Sequence, residues 1–224
     1  MMKTKSFQQI FDRISYKETI DKWEIVEPNS DATVKRLIIN QCDSTFVAYT
    51  DTLFQGMSTL TSCRSTHLKD SDCDAFAYVF NDRFKKEQLL FTDLKSRFNI
   101  RKIKQAYSQM MFSLLKLIAM QSLCEGHSLD NQDIEMIVAC KCFENLEQES
   151  LVKDEIIKGQ EINDKFYNLL YTLINKNHAF ITLNEFTPFK TIPLDEQIKN
   201  KEVKLTLIMT NQYNDDTVLY NKRN

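Results

Sequence analysis

The chain has 224 residues, of which 42% are hydrophobic and 27% charged, and its formal net charge is −2. These values are ordinary for a folded globular domain and argue against wholesale disorder. A chain that is basic throughout, as many nucleic-acid-binding proteins are, is excluded, so any nucleic-acid surface must be local. The three glycines form neither a dinucleotide-binding turn nor a P-loop.

Six cysteines are present, with no zinc-ligand spacing among them and no signal peptide before them. No apolar run reaches the ~18 residues that a membrane span requires. We therefore expect a cytoplasmic protein with no membrane partner and with reduced thiols, most of them small core residues.

The first half of the chain predicts an arm and then a long helix. Apolar residues recur at helical spacing within 5–14, and residues 23–26 predict a strand or an extended arm. An imperfect helical stripe then extends from Ser30 or Asp31, either of which can cap a helix, to about Gly56.

Two strands are predicted next. Residues 73–80 alternate in the manner of a strand, and residues 88–94 form an apolar run typical of a strand buried on both faces. The polar segment between them predicts a hairpin. Asn99 is the expected cap of a strongly amphipathic helix that ends near residues 124–126, and residues 134–143 predict a third core strand.

The last third carries weaker patterns. Residues 144–158 predict a loop or a short helix, residues 162–174 a helix, and residues 178–186 and 203–209 strands. The polar tail after Asn211 is expected to fray.

Taken together, these elements predict an α/β fold with a central mixed β-sheet flanked by helices. We expect an N-terminal arm or helix at 1–30, a core at 31–143, and an extension at 144–224 that completes the same domain.

Three charged residues near the predicted hairpin have a clear chemical use. Asp93 and Lys95 are two apart on one strand, so their side chains face the same side, and Asp74 opens the neighbouring strand. Two carboxylates can hold Mg²⁺ or Mn²⁺, and a lysine beside them can orient the attacking water or stabilise charge on a phosphate.

This arrangement resembles the PD-(D/E)XK, or restriction-endonuclease-like, superfamily. In that family an acidic residue opens one strand, an acid-x-Lys motif lies on the next, and a helix follows, often with a Gln about one turn in. Asp74, Asp93, Lys95 and Gln109 match those places, within residues 31–143. The resemblance implies a restriction-endonuclease-like core and Mg²⁺-dependent hydrolysis of phosphodiester bonds, usually in DNA.

The match departs from the family pattern at several places. Cys73 stands where the family has Pro, and Asp93 stands where Glu is common. The family often has a further acid on its first helix, for which Asp43 and Asp51 are equal candidates. A second acid-x-Lys motif, Glu202–Lys204, lacks both a preceding acid-led strand at hairpin distance and a following amphipathic helix.

Basic side chains are concentrated between residues 85 and 104. Arg97, Arg101 and Lys104 adjoin the proposed site, and we expect them to contact a phosphate backbone. The resemblance implies that this nucleic acid is DNA rather than RNA. No separate DNA-reading module is evident, so specificity is expected from loops, a homodimer or a partner protein subunit. A nuclease of this kind would suit a defence or mobile-element system.

Two alternatives stay open. The first is a protein that keeps the fold without catalysis and serves as an interaction or assembly subunit. The second is an α/β binding protein of another fold, in which Asp93 and Lys95 form a surface ion pair at a strand end.

Overall fold

The structure, a computed structural model, describes residues 17–20, 22–27, 30–41, 45–49, 72–81, 86–122, 129–185 and 194–222. In this part of the chain a seven-stranded sheet and a three-stranded sheet are present, with helices against the large sheet. The expected α/β class, with a mixed sheet flanked by helices, is confirmed. The predicted helix at 5–14 lies outside the described residues.

Ten strands occur in the described part of the chain. In chain order they are β1 (Lys17–Ile20), β2 (Lys22–Val26), β3 (Arg36–Gln41), β4 (Thr45–Tyr49), β5 (Ala75–Asn81), β6 (Lys86–Lys95), β7 (Gln132–Cys140), β8 (His178–Thr182), β9 (Glu202–Met209) and β10 (Thr217–Lys222).

The large sheet has the strand order β1-β4-β5-β6-β7-β9-β8, and the small sheet has the order β10-β3-β2. Strands β1, β4, β5 and β6 pair antiparallel, so the predicted hairpin of β5 and β6 is confirmed. Strands β6, β7 and β9 are parallel, and β8 lies at the edge of the sheet, antiparallel to β9. The carboxyl ends of β6, β7 and β9 therefore meet at one edge of the sheet.

The helices begin where the sequence offers a cap. They are α1 (Ile100–Gln121), α2 (Leu146–Glu161), α3 (Lys165–Lys176) and α4 (Glu196–Lys199). Asn99 caps α1 as expected, because its side chain accepts a hydrogen bond from the Lys102 N–H at 3.0 Å. Asn145 caps α2 in the same way, which settles the loop-or-helix alternative in favour of a helix. No described helix has the length and apolarity that crossing a bilayer requires.

Strand β6 is buried on both faces, as its apolar run predicts. Leu89 and Phe91 pack in the core that includes α1, whereas Leu90 and Leu94 pack in the core beneath the small sheet. The large sheet is thus the middle layer, with helices on one face and the three-stranded sheet on the other. This double burial makes charge at the end of β6 energetically costly.

Two predicted elements are wrong. The described part of the helix predicted from residue 31 to about 55 forms β3 and β4 instead. Leu37 and Ile39 are buried while their neighbours are more exposed, which is the two-residue period of a strand. The tail predicted to fray forms β10, which pairs parallel with β3 and buries Val218.

The contact between α2 and α3 yields a stability prediction at Gly159. A Cβ there would lie 2.2 Å from Cγ of Tyr167 in α3. Ala is the better helix former by about 1 kcal/mol, but the overlap lies at the base of the ring and forces the helices apart. We expect Gly159→Ala to lower the free energy of unfolding by about 1–3 kcal/mol in urea titrations. The exposed Lys158→Ala should be near neutral, and a stabilised Gly159→Ala would contradict this packing.

Candidate active site

The candidate site lies where β5 begins and β6 ends. The hairpin register pairs Ala75 with Thr92, so Asp74 and Asp93 are the next residues towards this end. The Asp74 N–H donates to the Thr92 carbonyl at 3.0 Å, which continues the contact between the strands. Asp93 and Lys95 follow Phe91 in the two-residue period of β6 and therefore face α1.

Direct contacts join the predicted residues. Lys95 forms an ion pair with Oδ1 of Asp93 and donates to Oε1 of Gln109 in α1 at 3.4 Å. Oδ2 of Asp74 accepts a hydrogen bond from the Leu94 N–H at 2.7 Å, between Asp93 and Lys95 along the chain. The structure thus brings Asp74, Asp93, Lys95 and Gln109 together at one edge of the sheet.

Asp93 has a strongly perturbed carboxyl group. Its side chain is fully buried, and burial together with the charge of Asp74 raises its pKa to about 7, although Lys95 acts to lower it. A carboxyl that titrates near neutral pH beside a second acid and a lysine is a common property of functional sites. Asp74, in contrast, is exposed, so the pair of acids extends from solvent into the core.

One oxygen of Asp93 lacks a partner. Oδ1 contacts Lys95, but Oδ2 accepts no hydrogen bond from any residue that the structure describes. A buried carboxylate oxygen without a donor is costly, and a cation would remove that cost. This donor set fits Mg²⁺ or Mn²⁺, since Mg²⁺ is often bound by one or two carboxylates, with water and phosphate oxygens as its other ligands. No cluster of three His, Cys, Asp or Glu side chains suited to a metal occurs within the described ranges.

The predicted phosphate-contacting residues take different positions. Arg97 and Arg101 are exposed, just after β6 and at the start of α1. Lys104 places its ammonium group 5.1 Å from the centre of the Phe166 ring in α3. Asp43 and Asp51, the candidates for an additional acid, lie outside the described residues.

Sequence reasoning missed Glu27. This residue follows β2 in the segment predicted as an arm, yet its charge contributes to the raised pKa of Asp93. The chain after Glu27 also meets the end of β6, because the Thr33 hydroxyl donates to the Ser96 carbonyl. The local pattern of residues 23–35 contains no signal for this approach, since it depends on how the small sheet packs on the large one.

The second acid-x-Lys motif has a different environment. Lys204 of β9 lies 3.0 Å from Oε1 of the buried Glu135 in β7. The same oxygen accepts hydrogen bonds from the Thr206 hydroxyl at 2.7 Å and the Tyr220 hydroxyl at 2.8 Å. The other oxygen, Oε2, accepts a hydrogen bond from the Gln88 side-chain amide at 3.5 Å. Both oxygens of the buried Glu135 therefore have partners, whereas Oδ2 of Asp93 has none among the described residues.

Comparison with known proteins finds no matching family model, no matching curated protein and no matching solved structure. Inference about function therefore depends on the site itself.

Proposed function

We propose that this chain is a metal-dependent nuclease that hydrolyses phosphodiester bonds in DNA, with Asp74, Asp93 and Lys95 as its central residues. The observation that carries the proposal is the buried Asp93 carboxylate, of which Oδ2 accepts no hydrogen bond within the described part of the chain. A purely structural acid is expected to be satisfied by its neighbours, as Glu135 is.

Each residue has a distinct role in this proposal. Asp74 and Asp93 would hold a Mg²⁺ or Mn²⁺ ion, which when bound neutralises charge on the phosphate and lowers the pKa of a bound water. The Lys95 ammonium lies beside Asp93, where it can stabilise charge that develops on a phosphate oxygen. Gln109 holds Lys95 from the side of α1 and so limits the positions open to the ammonium group.

The order of the elements supports the resemblance to the restriction-endonuclease-like fold. An acid opens β5, the acid-x-Lys motif ends β6, α1 follows, and β7 returns parallel to β6. The helix expected before β5 is the exception, because the described residues there form β3 and β4. The proposed core therefore depends on the segment from β5 to β7.

Exposed cations beside the site support a nucleic acid as the substrate. Arg97 follows β6 two residues after Lys95, and Arg101 lies in the first turn of α1; both are open to solvent and can contact backbone phosphates. Sequence specificity would come from loops, a second copy of the chain or a partner subunit, in keeping with a role in a defence or mobile-element system.

A second candidate is an inactive interaction subunit of the same fold. Large apolar side chains on and just after α2 favour it, since Leu146 is 82%, Leu151 64% and Ile162 77% exposed. Exposed apolar groups of this kind are typical of protein contact surfaces.

Cleavage by the wild-type chain separates the two candidates. We expect supercoiled plasmid to be nicked with Mg²⁺ or Mn²⁺ and to stay intact with EDTA. At a cation concentration below saturation the rate should rise with pH, because Asp93, whose pKa burial raises, must lose its proton to bind a cation. Single-stranded DNA and RNA substrates, run in parallel, define the substrate class. If none of these polymers is cut although Mn²⁺ raises the melting temperature, the chain is the inactive subunit.

A further inference from the structure

The two residues that precede Asp74 form a hydrogen bond and an ion pair with side chains of α1. The Cys73 N–H donates to the Ser113 hydroxyl at 2.9 Å, and Nζ of Lys116 lies 2.5 Å from Oδ1 of Asp72. Ser113 is fully buried and Lys116 is 5% exposed. The chain that leads into Asp74 is therefore held at two successive residues by one helix.

Gln109, Ser113 and Lys116 form a polar stripe on α1. Their spacing of four and then three residues places them on one face of the helix. Gln109 contacts Lys95 at the end of β6, while Ser113 and Lys116 contact the chain just before β5. The polar stripe thus engages both halves of the candidate site.

Stability alone does not account for a buried lysine in this stripe. Removing a Lys and an Asp from water has a large desolvation cost, and an apolar residue of similar volume is often as stable or more so. The other buried residues of α1 are mostly apolar, among them Met110, Leu114 and Leu117. The ion pair of Lys116 with Asp72 differs from an apolar contact in fixing where residue 72 lies.

We infer that Ser113 and Lys116 are positioning residues that hold the Asp74 carboxylate opposite Asp93, so that the two acids can share one cation. The consequence for cation binding and cleavage rests on the proposed function, but the placement of Asp74 does not. The placement of Asp74 can be measured separately, because its Oδ2 accepts a hydrogen bond from the Leu94 amide, and the exchange rate of that amide reports on the bond.

The test compares Lys116→Met with Lys204→Met. Both changes remove a lysine from a buried ion pair, but Lys204 pairs with Glu135 rather than with the chain before Asp74. In Lys116→Met we expect the hydrogen exchange of the Leu94 amide, followed by NMR without metal, to speed up about tenfold. The dissociation constant for Mn²⁺, measured by calorimetry, should rise about 10- to 100-fold. Plasmid cleavage should lose kcat with little change in KM.

The control and the conservative variant make the result specific. Lys204→Met should leave the Mn²⁺ affinity unchanged and should speed exchange at Leu94 no more than at the other amides of β6, and Lys116→Arg should recover most of the wild-type exchange and affinity. If Lys116→Met does not fold, Ser113→Ala replaces it, with a smaller change in the same direction.

The positioning role is overturned if the folded variant keeps wild-type exchange at Leu94, or if Lys204→Met changes it equally. Failure of the proposed function has a different signature. In that case the wild type neither binds Mn²⁺ nor cuts DNA, while the Leu94 amide still responds to Lys116→Met.

Discussion

Lys95→Ala and Asp93→Ala are each expected to reduce Mg²⁺-dependent DNA cleavage by about 10²- to 10⁴-fold, the usual contribution of a positioned acid–base or charge-stabilising group. Lys95 forms an ion pair with Asp93, and its ammonium group also donates to Oε1 of Gln109. Removing Lys95 therefore removes the cation that lies next to the proposed phosphate position. Removing Asp93 takes away the buried carboxylate that a metal would bind.

Lys204→Ala is the matched control for this experiment. It disrupts the other acid-x-Lys motif and breaks a partly buried ion pair with Glu135, so it should lower stability without lowering the expected cleavage rate of the folded chain. Rates are compared at a temperature at which all variants are folded. Equal activity in the wild type, Asp93→Ala and Lys95→Ala would show that the site is assigned to the wrong residues.

Asp93→Asn is expected to abolish cleavage and yet stabilise the fold at pH 8. Burial raises the pKa of Asp93 from 3.8 to about 7, so its ionised form is less stable in the folded chain than in the unfolded chain. A difference of about three pKa units corresponds to about 4 kcal/mol at most. Asn removes the charge at nearly constant volume, so thermal unfolding at pH 8 should show a higher melting temperature.

The pH dependence of unfolding provides a second test of whether Asp93→Asn stabilises the fold. Above pH 7 Asp93 is ionised in both the folded and the unfolded chain, so the full free-energy cost of burying its charge lowers the stability of the fold. As the pH falls from 7 towards 4, folded Asp93 takes up a proton, and the advantage of Asp93→Asn should shrink towards zero. Glu135→Gln is the control, and we expect it to lower the stability of the fold. Glu135 forms an ion pair with Lys204, and removing the Glu135 charge leaves that lysine without its partner. A destabilised Asp93→Asn at pH 8 would mean that Asp93 is a structural partner of Lys95.

These two predictions describe one physical compromise. The Asp93 carboxylate is buried, and its Oδ2 has no partner among the described residues. The ionised carboxylate therefore lowers the free energy of unfolding at neutral pH. Such a group is retained where its charge has a use, since functional sites commonly oppose stability. Glu135 differs, because a lysine, two hydroxyl groups and the Gln88 amide satisfy its carboxylate.

Local patterns in the sequence were sufficient for the centre of the fold. The hairpin of β5 and β6, α1 with its Asn99 cap, and the apolar strand β7 all follow from periodicity and capping within short stretches. The closeness of Asp74 to Asp93 was predictable for the same reason, because a hairpin is a contact between neighbours in the chain. The spacing of Gln109, Ser113 and Lys116 was also visible as three polar positions on one helical face.

Contacts between distant segments of the chain determine three features that local sequence patterns did not predict. Residues 36–41 become a strand and not a helix because they pair with both β2 and β10, and β10 comes from the far end of the chain. The approach of Glu27 to Asp93 depends on the same packing of the small sheet. The two acid-x-Lys motifs look alike locally, yet Lys204 completes a satisfied cluster while Lys95 leaves an Asp93 oxygen unpaired among the described residues. Which buried acid is satisfied depends on side chains brought in from distant segments, and no local pattern of residues contains that information.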